Sequence, residues 1–268
     1  AGVATIKLDP FPGLNYIDRE RSTDKQAIQR IFGKIQKGYE EALLQEPERR
    51  NDTTWLKEQV PFLGEVLMGH LRYGTHGANS IERVHPFHRQ NNWINRNLLL
   101  AGNFNMTNVD ELFQELVDLG QYPKEKSDTV TVLEKIGHFL DDEVQRLHTW
   151  YKPDGHSNQA INQLIVENLD VQRLLRRACK KFDGGYVLGG LIGHGDAFLI
   201  RDPNGIRPAY WYQDDEIVVA ASERAAIQTV LNVRFETVKE LKPGHALIIK
   251  CHGEVSELPF ADSRETRS

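Results

Sequence analysis

The feature that most constrains this chain is a block of short apolar runs between residues 184 and 222: GGYVLGGLIG, AFLIRD, AYWY and EIVVAAS, divided by Gly, Asp and Asn turns. Runs this short, with no helical period between them, read as strands joined by tight connections, and such connections make an antiparallel sheet. The glycines of GGYVLGGLIGHG invite comparison with a nucleotide loop. The segment lacks GxxxxGK[ST] and is not followed at once by a helix, so a close-packed strand is the expected reading.

The rest of the chain alternates with this block. Residues 2 to 8 read as a strand ending at Asp9-Pro10, with Val3, Ile6 and Leu8 as packing positions. A helix is expected next, capped by Thr23 or Asp24, with Ile28, Ile31, Phe32, Ile35, Tyr39 and Leu43 on one face. Residues 45 to 60 are charged and without period and read as a surface loop. GEVLMGHLRY, residues 64 to 73, predicts a strand entering the turn GTHGANS. Met68, His70 and Arg72 then share one face, and Leu67, Leu71 and Tyr73 the other. NLLLAG (97 to 102) predicts another strand, followed by a short helix capped by Asn108. Ser127 and Asp128 open a longer helix with Leu133, Ile136, Leu140, Val144 and Leu147 on one side. A loop at 152 to 159 leads to a helical stretch at 160 to 181. Towards the C-terminus, Ser222 is expected to cap the helix SERAAIQTVL, and HALIIK and VSEL to close a hairpin around His252-Gly253. Strands, then helices, then strands predict an α+β organisation.

Composition narrows the function classes. The formal charge of −5 argues against nucleic acid as the main partner, because phosphate contacts need a basic surface. No apolar run has the length of a membrane span and the first residues have no signal-peptide pattern, so no membrane partner is expected and the chain reads as cytoplasmic. The two cysteines, Cys179 and Cys251, form no CxxC pair, which suits a reducing compartment and leaves no zinc framework. His70, His76, His85 and His88 are better read as structural histidines, since Pro86 places the last two in a loop and no Cys or paired carboxylate completes a metal set.

Three polar residues at element ends stand out. Arg72 is a charged residue at the end of an apolar strand, and its planar fork suits a carboxylate. Asn103 follows a strand and offers an amide donor of the kind that stabilises an oxyanion. Asp128, at a helix start, can accept from an ammonium. Together they describe a site for a free α-amino acid. The same three also fit ordinary roles: a surface ion pair, a turn and a first-turn helix charge.

GHLRYGTHG, then HPF at His85 to Phe87, then GNFNMTN and SDT resemble, in that order, the glutaminase domain of the class II glutamine amidotransferases. RDPNGIRPAYWY, VVAASE and LKPGHALII resemble the amidophosphoribosyltransferase branch most closely. The resemblance covers roughly residues 64 to 250, with helical insertions near 24 to 60 and 145 to 180. It implies an N-terminal nucleophile hydrolase fold, a four-layer α-β-β-α sandwich with antiparallel sheets. It assigns the glutamine α-carboxylate to Arg72, the α-ammonium to Asp128, and the oxyanion hole to the Asn103 side chain and the backbone N–H of Phe104. The family has His-Asn-Gly where this chain has Gly102-Asn103-Phe104, and Phe does not share glycine's tolerance of positive φ.

In this family an N-terminal Cys attacks the glutamine amide and its own α-amine acts as base. Residue 1 is Ala, and AGVATIKL resembles the strand after the family's Arg-Gly-Gln loop, so the nucleophile is expected upstream of Ala1. Cys179 reads as a packing residue, and Cys251 lies at a turn; neither offers a free α-amine. Residues 1 to 258 are then a glutaminase domain without its first strands, and 259 to 268 a polar tail or linker. A phosphoribosyltransferase domain of the same parent and a homo-oligomer are the implied partners, with Mg and phosphoribosyl pyrophosphate confined to that domain and no cofactor in this one. The competing readings are a non-catalytic amino-acid-binding or regulatory module on the same fold, and another class II branch similar to glucosamine-6-phosphate synthase.

Overall fold

The computed structural model describes residues 1–72 and 80–262. They divide into two units: Ala1–Ala101 with Leu191–Gly195, and Gly102–Gly190 with Asp196–Ser268. The turn GTHGANS, apart from Ser80, and the last six residues of the tail lie outside the described residues, as do Tyr73 and His76.

In the first unit β1 (Gly2–Ile6) is the middle strand of a three-stranded sheet, flanked by β2 (Ile17–Arg21) and β3 (Val66–His70). Both pairings are antiparallel, with Ala4 opposite Arg19 on one side and Met68 on the other. β2 was not expected, because IDRER is too polar to read as a strand. The first helix, α1 (Ala27–Gln45), starts after the expected caps: Asp24 instead accepts from the Gln26 N–H at 2.9 Å, in the turn before it. Of the expected apolar face only Ile31 is buried; Ile28 and Phe32 are exposed. The loop expected at 45 to 60 is instead a 3-10 turn, Pro47–Asn51, and a helix, α2 (Thr53–Gln59). Pro47 presets φ for the turn and Asp52 caps the helix through the Trp55 N–H at 3.0 Å. A short strand, β4 (Phe87–Arg89), replaces the loop expected around Pro86 and pairs antiparallel with the start of β5 (Leu98–Met106).

The second unit takes β5 onward from Gly102. It holds α3 (Val109–Asp118), α4 (Asp128–Tyr151), α5 (Asn158–Asn168) and α6 (Val171–Ala178), then β6 (Gly184–Ile192) and β7 (Ala197–Arg201). There follow β8 (Tyr210–Gln213), β9 (Val218–Ala221), α7 (Arg224–Leu231), β10 (Lys239–Glu240), β11 (His245–Ile249) and β12 (Val255–Pro259). The strands run in the order β12-β11-β7-β6-β5, and β10-β8-β9 form a smaller sheet. β11 is antiparallel to both β7 and β12, and β8 to both β9 and β10. The hairpin expected around His252-Gly253 joins β11 to β12, with Ile249 opposite Val255.

The long helix α4 follows its sequence closely. The Ser127 hydroxyl accepts from the Val130 N–H at 3.4 Å, and Leu133, Ile136, Leu140, Val144 and Leu147 are all buried. At about 1.5–3 kcal/mol for each fully buried apolar side chain, this stripe is what packs α4 against α3, α5 and α6. The single helix expected at 160 to 181 is two. Asp170 turns its carboxylate back to the Arg173 N–H at 2.8 Å and caps a new helix, which separates α5 from α6. α7 is capped by Glu223 rather than Ser222, without a side-chain hydrogen bond. Glycine-rich β6 is a close-packed strand: a Cβ on Gly190 would lie 2.1 Å from the Phe198 ring. The chain is thus α+β with antiparallel sheets. No helix among the described residues is long and apolar enough to cross a membrane.

Candidate functional site

In the first unit, Arg72 follows β3 and its side chain is exposed. The guanidinium donates to the Arg83 carbonyl at 2.5 Å. It lines a cleft of about 620 Å³ together with Ser22, Asp24, Ile28 and Arg83. The rings of His70 and His85 stack at 4.4 Å, and Phe87 meets His85 edge-on at 4.9 Å. Burial, reinforced by the charges of His70, Arg72 and Arg21, pushes the His85 pKa down to about 3, so this ring is neutral at physiological pH. His88 points instead to the Asn97 amide oxygen at 3.3 Å. Among the described residues no three His, Cys, Asp or Glu side chains come together as a metal set.

In the second unit, Asn103 and Phe104 lie within β5, not after it. The strand runs through NFNM because its residues alternate: Asn103 and Asn105 are exposed, Gly102 and Phe104 half-buried. The polar half of that alternation is what reads as a loop in the sequence. Phe104 keeps ordinary strand backbone; the non-glycine residues with positive φ among those described are Asp9, Phe62 and Asn232. Asp128 is the first residue of α4 and is half-buried, and one carboxylate oxygen accepts from its neighbour Thr129 N–H at 2.8 Å. Arg72 therefore belongs to the first unit, and Asn103, Phe104 and Asp128 to the second.

The segment RDPNGIRP is built around two buried charges that sequence reasoning left without a role. Asp202, wholly buried, accepts from the backbone N–H groups of Asn204, Ile206 and Arg207 at 3.0 Å and of Tyr186 at 3.3 Å. Arg201 donates to the carbonyls of Arg207 and Leu241 at 2.7 Å and of Gly205 at 3.1 Å, and to the Glu240 carboxylate at 2.7 Å. Gly205 has φ +66° and a Cβ there would lie 2.9 Å from Pro243, so the turn requires glycine. The asymmetry of charge and hydrogen bonding is complete: an anion satisfied by N–H groups and a cation satisfied mostly by carbonyls. Only the unusual RD pair inside an apolar strand end hints at this in the sequence. Of the cysteines, Cys179 is buried and burial raises its thiol pKa, while Cys251 is partly exposed at the β11–β12 turn.

No family model matches the chain. It is 28% identical over 214 residues to the amidophosphoribosyltransferase of Pasteurella multocida, a match covering 76% of this chain and 38% of that protein. Against the amidophosphoribosyltransferase of Bacillus subtilis it is 28% identical over 196 residues, 72% of this chain and 34% of that one. The chain thus spans little more than a third of the length of these curated relatives. Among solved structures, the B. subtilis glutamine phosphoribosylpyrophosphate amidotransferase complexed with ADP and GMP superposes with a TM-score of 0.58 at 22% identity, over 97% of this chain and 42% of that one. A second, described as the allosteric regulatory enzyme of purine biosynthesis, gives 0.59 at 23% identity with the same coverage. The chain is thus similar in sequence to amidophosphoribosyltransferases over about three-quarters of its length, and its fold is that of the two solved amidotransferase structures.

Proposed function

We propose that the protein this chain belongs to hydrolyses glutamine to glutamate and ammonia and delivers the ammonia to phosphoribosyl pyrophosphate, forming phosphoribosylamine for purine synthesis. The observation that carries this reading is the match to amidophosphoribosyltransferases over three-quarters of the chain, joined to the shared fold.

In this reading each polar residue meets one part of glutamine. The exposed Arg72 guanidinium takes the α-carboxylate, and the Asp128 carboxylate the α-ammonium. A thiolate attacks the side-chain amide carbon and the carbonyl oxygen becomes an oxyanion. The Asn103 amide and the Phe104 N–H donate to that oxygen as its charge develops. The C–N bond then breaks, ammonia leaves with a proton from the catalytic amine, and water hydrolyses the thioester. The nucleophile is the N-terminal cysteine of class II amidotransferases; buried Cys179 and turn residue Cys251 do not fill that place. The transfer half belongs to a phosphoribosyltransferase domain of the same parent, where Mg would accompany phosphoribosyl pyrophosphate.

The test is glutamine hydrolysis by the full-length protein and its Arg72→Ala variant. Losing a charge-assisted pair of about 1.5–3 kcal/mol should raise KM for glutamine roughly tenfold to hundredfold. An unchanged KM would show that Arg72 does not hold the carboxylate, and absence of glutaminase activity in the unmodified protein would overturn the whole reading.

A further inference from the structure

We propose that Asp202, with Ile206, is a positioning residue for the oxyanion segment Asn103-Phe104, acting through β6; this rests on the oxyanion role of Asn103 and Phe104 in the proposed glutaminase reaction. All the groups involved lie in the second unit.

The argument starts at the loop. The Asp202 carboxylate gathers four backbone N–H groups, three from its own turn and one from Tyr186 of β6. In return, the Tyr186 carbonyl accepts from the Asp202 N–H at 2.8 Å. The turn is therefore tied to β6 at one residue through both backbone polar groups. Its outer residue, Ile206, lies against the neighbouring strand position: a Cβ built on Gly185 would come within 2.7 Å of Ile206 Cγ2. Only glycine lets the two approach this closely.

β6 in turn is laid directly on β5. A Cβ on Gly102 would lie 2.4 Å from the Val187 carbonyl oxygen, and one on Gly184 would lie 2.2 Å from the Asn105 carbonyl oxygen. Gly102 and Asn105 bracket Asn103 and Phe104. The stretch 184 to 187 that the loop holds is thus the stretch on which the oxyanion pair rests. Strands that leave no room for a Cβ between them at Gly102 and Gly184 have little slack to absorb a displacement, so a shift of Tyr186 or Gly185 is passed to Asn103 and Phe104. An oxyanion donor displaced by a fraction of an ångström loses transition-state stabilisation while ground-state binding of glutamine through Arg72 and Asp128 is untouched. The Asp202 carboxylate and the Ile206 side chain are the two points at which this support can be removed.

The experiment uses the full-length protein with glutamine as substrate, and separately with ammonium salt in place of glutamine to read the transfer half alone. Asp202→Asn keeps the volume but turns an amide N–H towards N–H donors. It should lower glutaminase kcat roughly tenfold to hundredfold, with KM for glutamine and ammonia-dependent activity within about twofold of the parent. Ile206→Ala, at a residue 59% exposed, keeps the buried charges intact and should lower kcat several-fold in the same way. Because part of the effect runs through the Asn103 side chain, Asp202→Asn or Ile206→Ala should cost clearly less in an Asn103→Ala background than in the parent. Equal loss of ammonia-dependent activity, a KM effect without a kcat effect, or full additivity with Asn103→Ala overturns the proposal. If Asp202→Asn does not fold, the Ile206→Ala cycle decides by the same outcomes. An Asn103→Ala variant with undiminished kcat would instead sink the oxyanion reading, and this inference with it.

Discussion

Glu143 on α4 and Arg177 on α6 meet at 3.0 Å, with the Glu143 side chain wholly buried and that of Arg177 38% exposed. Arg146 at 2.9 Å and Arg173 at 3.1 Å complete a cage around the same carboxylate. A carboxylate taken fully out of water holds its charge only with such partners, and here they clamp the two helices together.

The cage predicts an ordering of stabilities. Glu143→Gln removes the one group every arginine shares and should cost about 3 kcal/mol, the low end for a broken buried pair because the guanidinium groups can rehydrate. Arg177→Gln leaves two arginines on the carboxylate and should cost about 1 kcal/mol. Urea denaturation of the two variants checks this; a larger loss for Arg177→Gln would mean that the helices are held by the other contacts of Arg177, the Asp142 carboxylate at 2.9 Å and the Phe139 ring at 4.8 Å, and not by Glu143.

Asn97 makes a comparable claim in the first unit. Its amide nitrogen donates to the Tyr16 hydroxyl at 3.0 Å and the carbonyls of Asn91 at 2.7 Å and Trp93 at 3.1 Å, while its oxygen accepts from the Asn91 N–H at 2.9 Å. The side chain is almost fully buried, so truncation strands several backbone groups. Asn97→Ala should cost about 2–4 kcal/mol. Asn97→Asp should be at least as damaging, because it points a carboxylate oxygen at two carbonyls. A tolerated Asn97→Asp, seen as an unchanged melting temperature, would contradict the donor and acceptor roles of this amide.

How much of this was legible in the sequence depended on period length. α4 was legible because five apolar residues recur at helical spacing behind a serine cap, and the β11–β12 hairpin because HALIIK and VSEL flank an unmistakable turn. β2, IDRER, and β4, FHR, were not: their pairing comes from neighbouring strands, which local pattern does not encode. The far half of β5 was hidden for the same reason, since Asn103 and Asn105 put amides on an exposed face. A cap was also missed: Asp170 divides a helical stretch that composition alone makes continuous. For the site, the residue types of Arg72, Asn103 and Asp128 described an amino-acid pocket beside equally ordinary roles, and motif resemblance gave each its part. The convergence on Asp202 is a property of the folded turn, and no spacing rule would have found it.

Thiol chemistry should separate the cysteines. Cys179 is buried, with burial raising its pKa, while Cys251 is partly exposed. Because the thiolate is the reactive form, a maleimide at pH 8 should label Cys251 readily and Cys179 only after unfolding. Peptide mapping of labelled native protein checks this. Rapid labelling of Cys179 would mean that the end of α6 opens in the native state.

The last prediction concerns pH. The His85 pKa is pushed down to about 3, so the folded state resists a proton that the unfolded chain accepts near pH 6.5. The sign comes from linkage: the unfolded state binds more protons through this window, and stability therefore falls as pH drops from about 6.5 towards 3. Fully expressed, one such histidine costs about 1.4 kcal/mol per pH unit below its unfolded pKa. Burial also lowers the His88 pKa, which adds to the same trend. Urea midpoints measured between pH 7 and pH 5 should decline in the parent protein, and His85→Gln should flatten that decline while lowering stability at pH 7, where the neutral ring's stacking on His70 is lost. A decline of unchanged slope in His85→Gln would move the titration to other groups and remove His85 from the acid response.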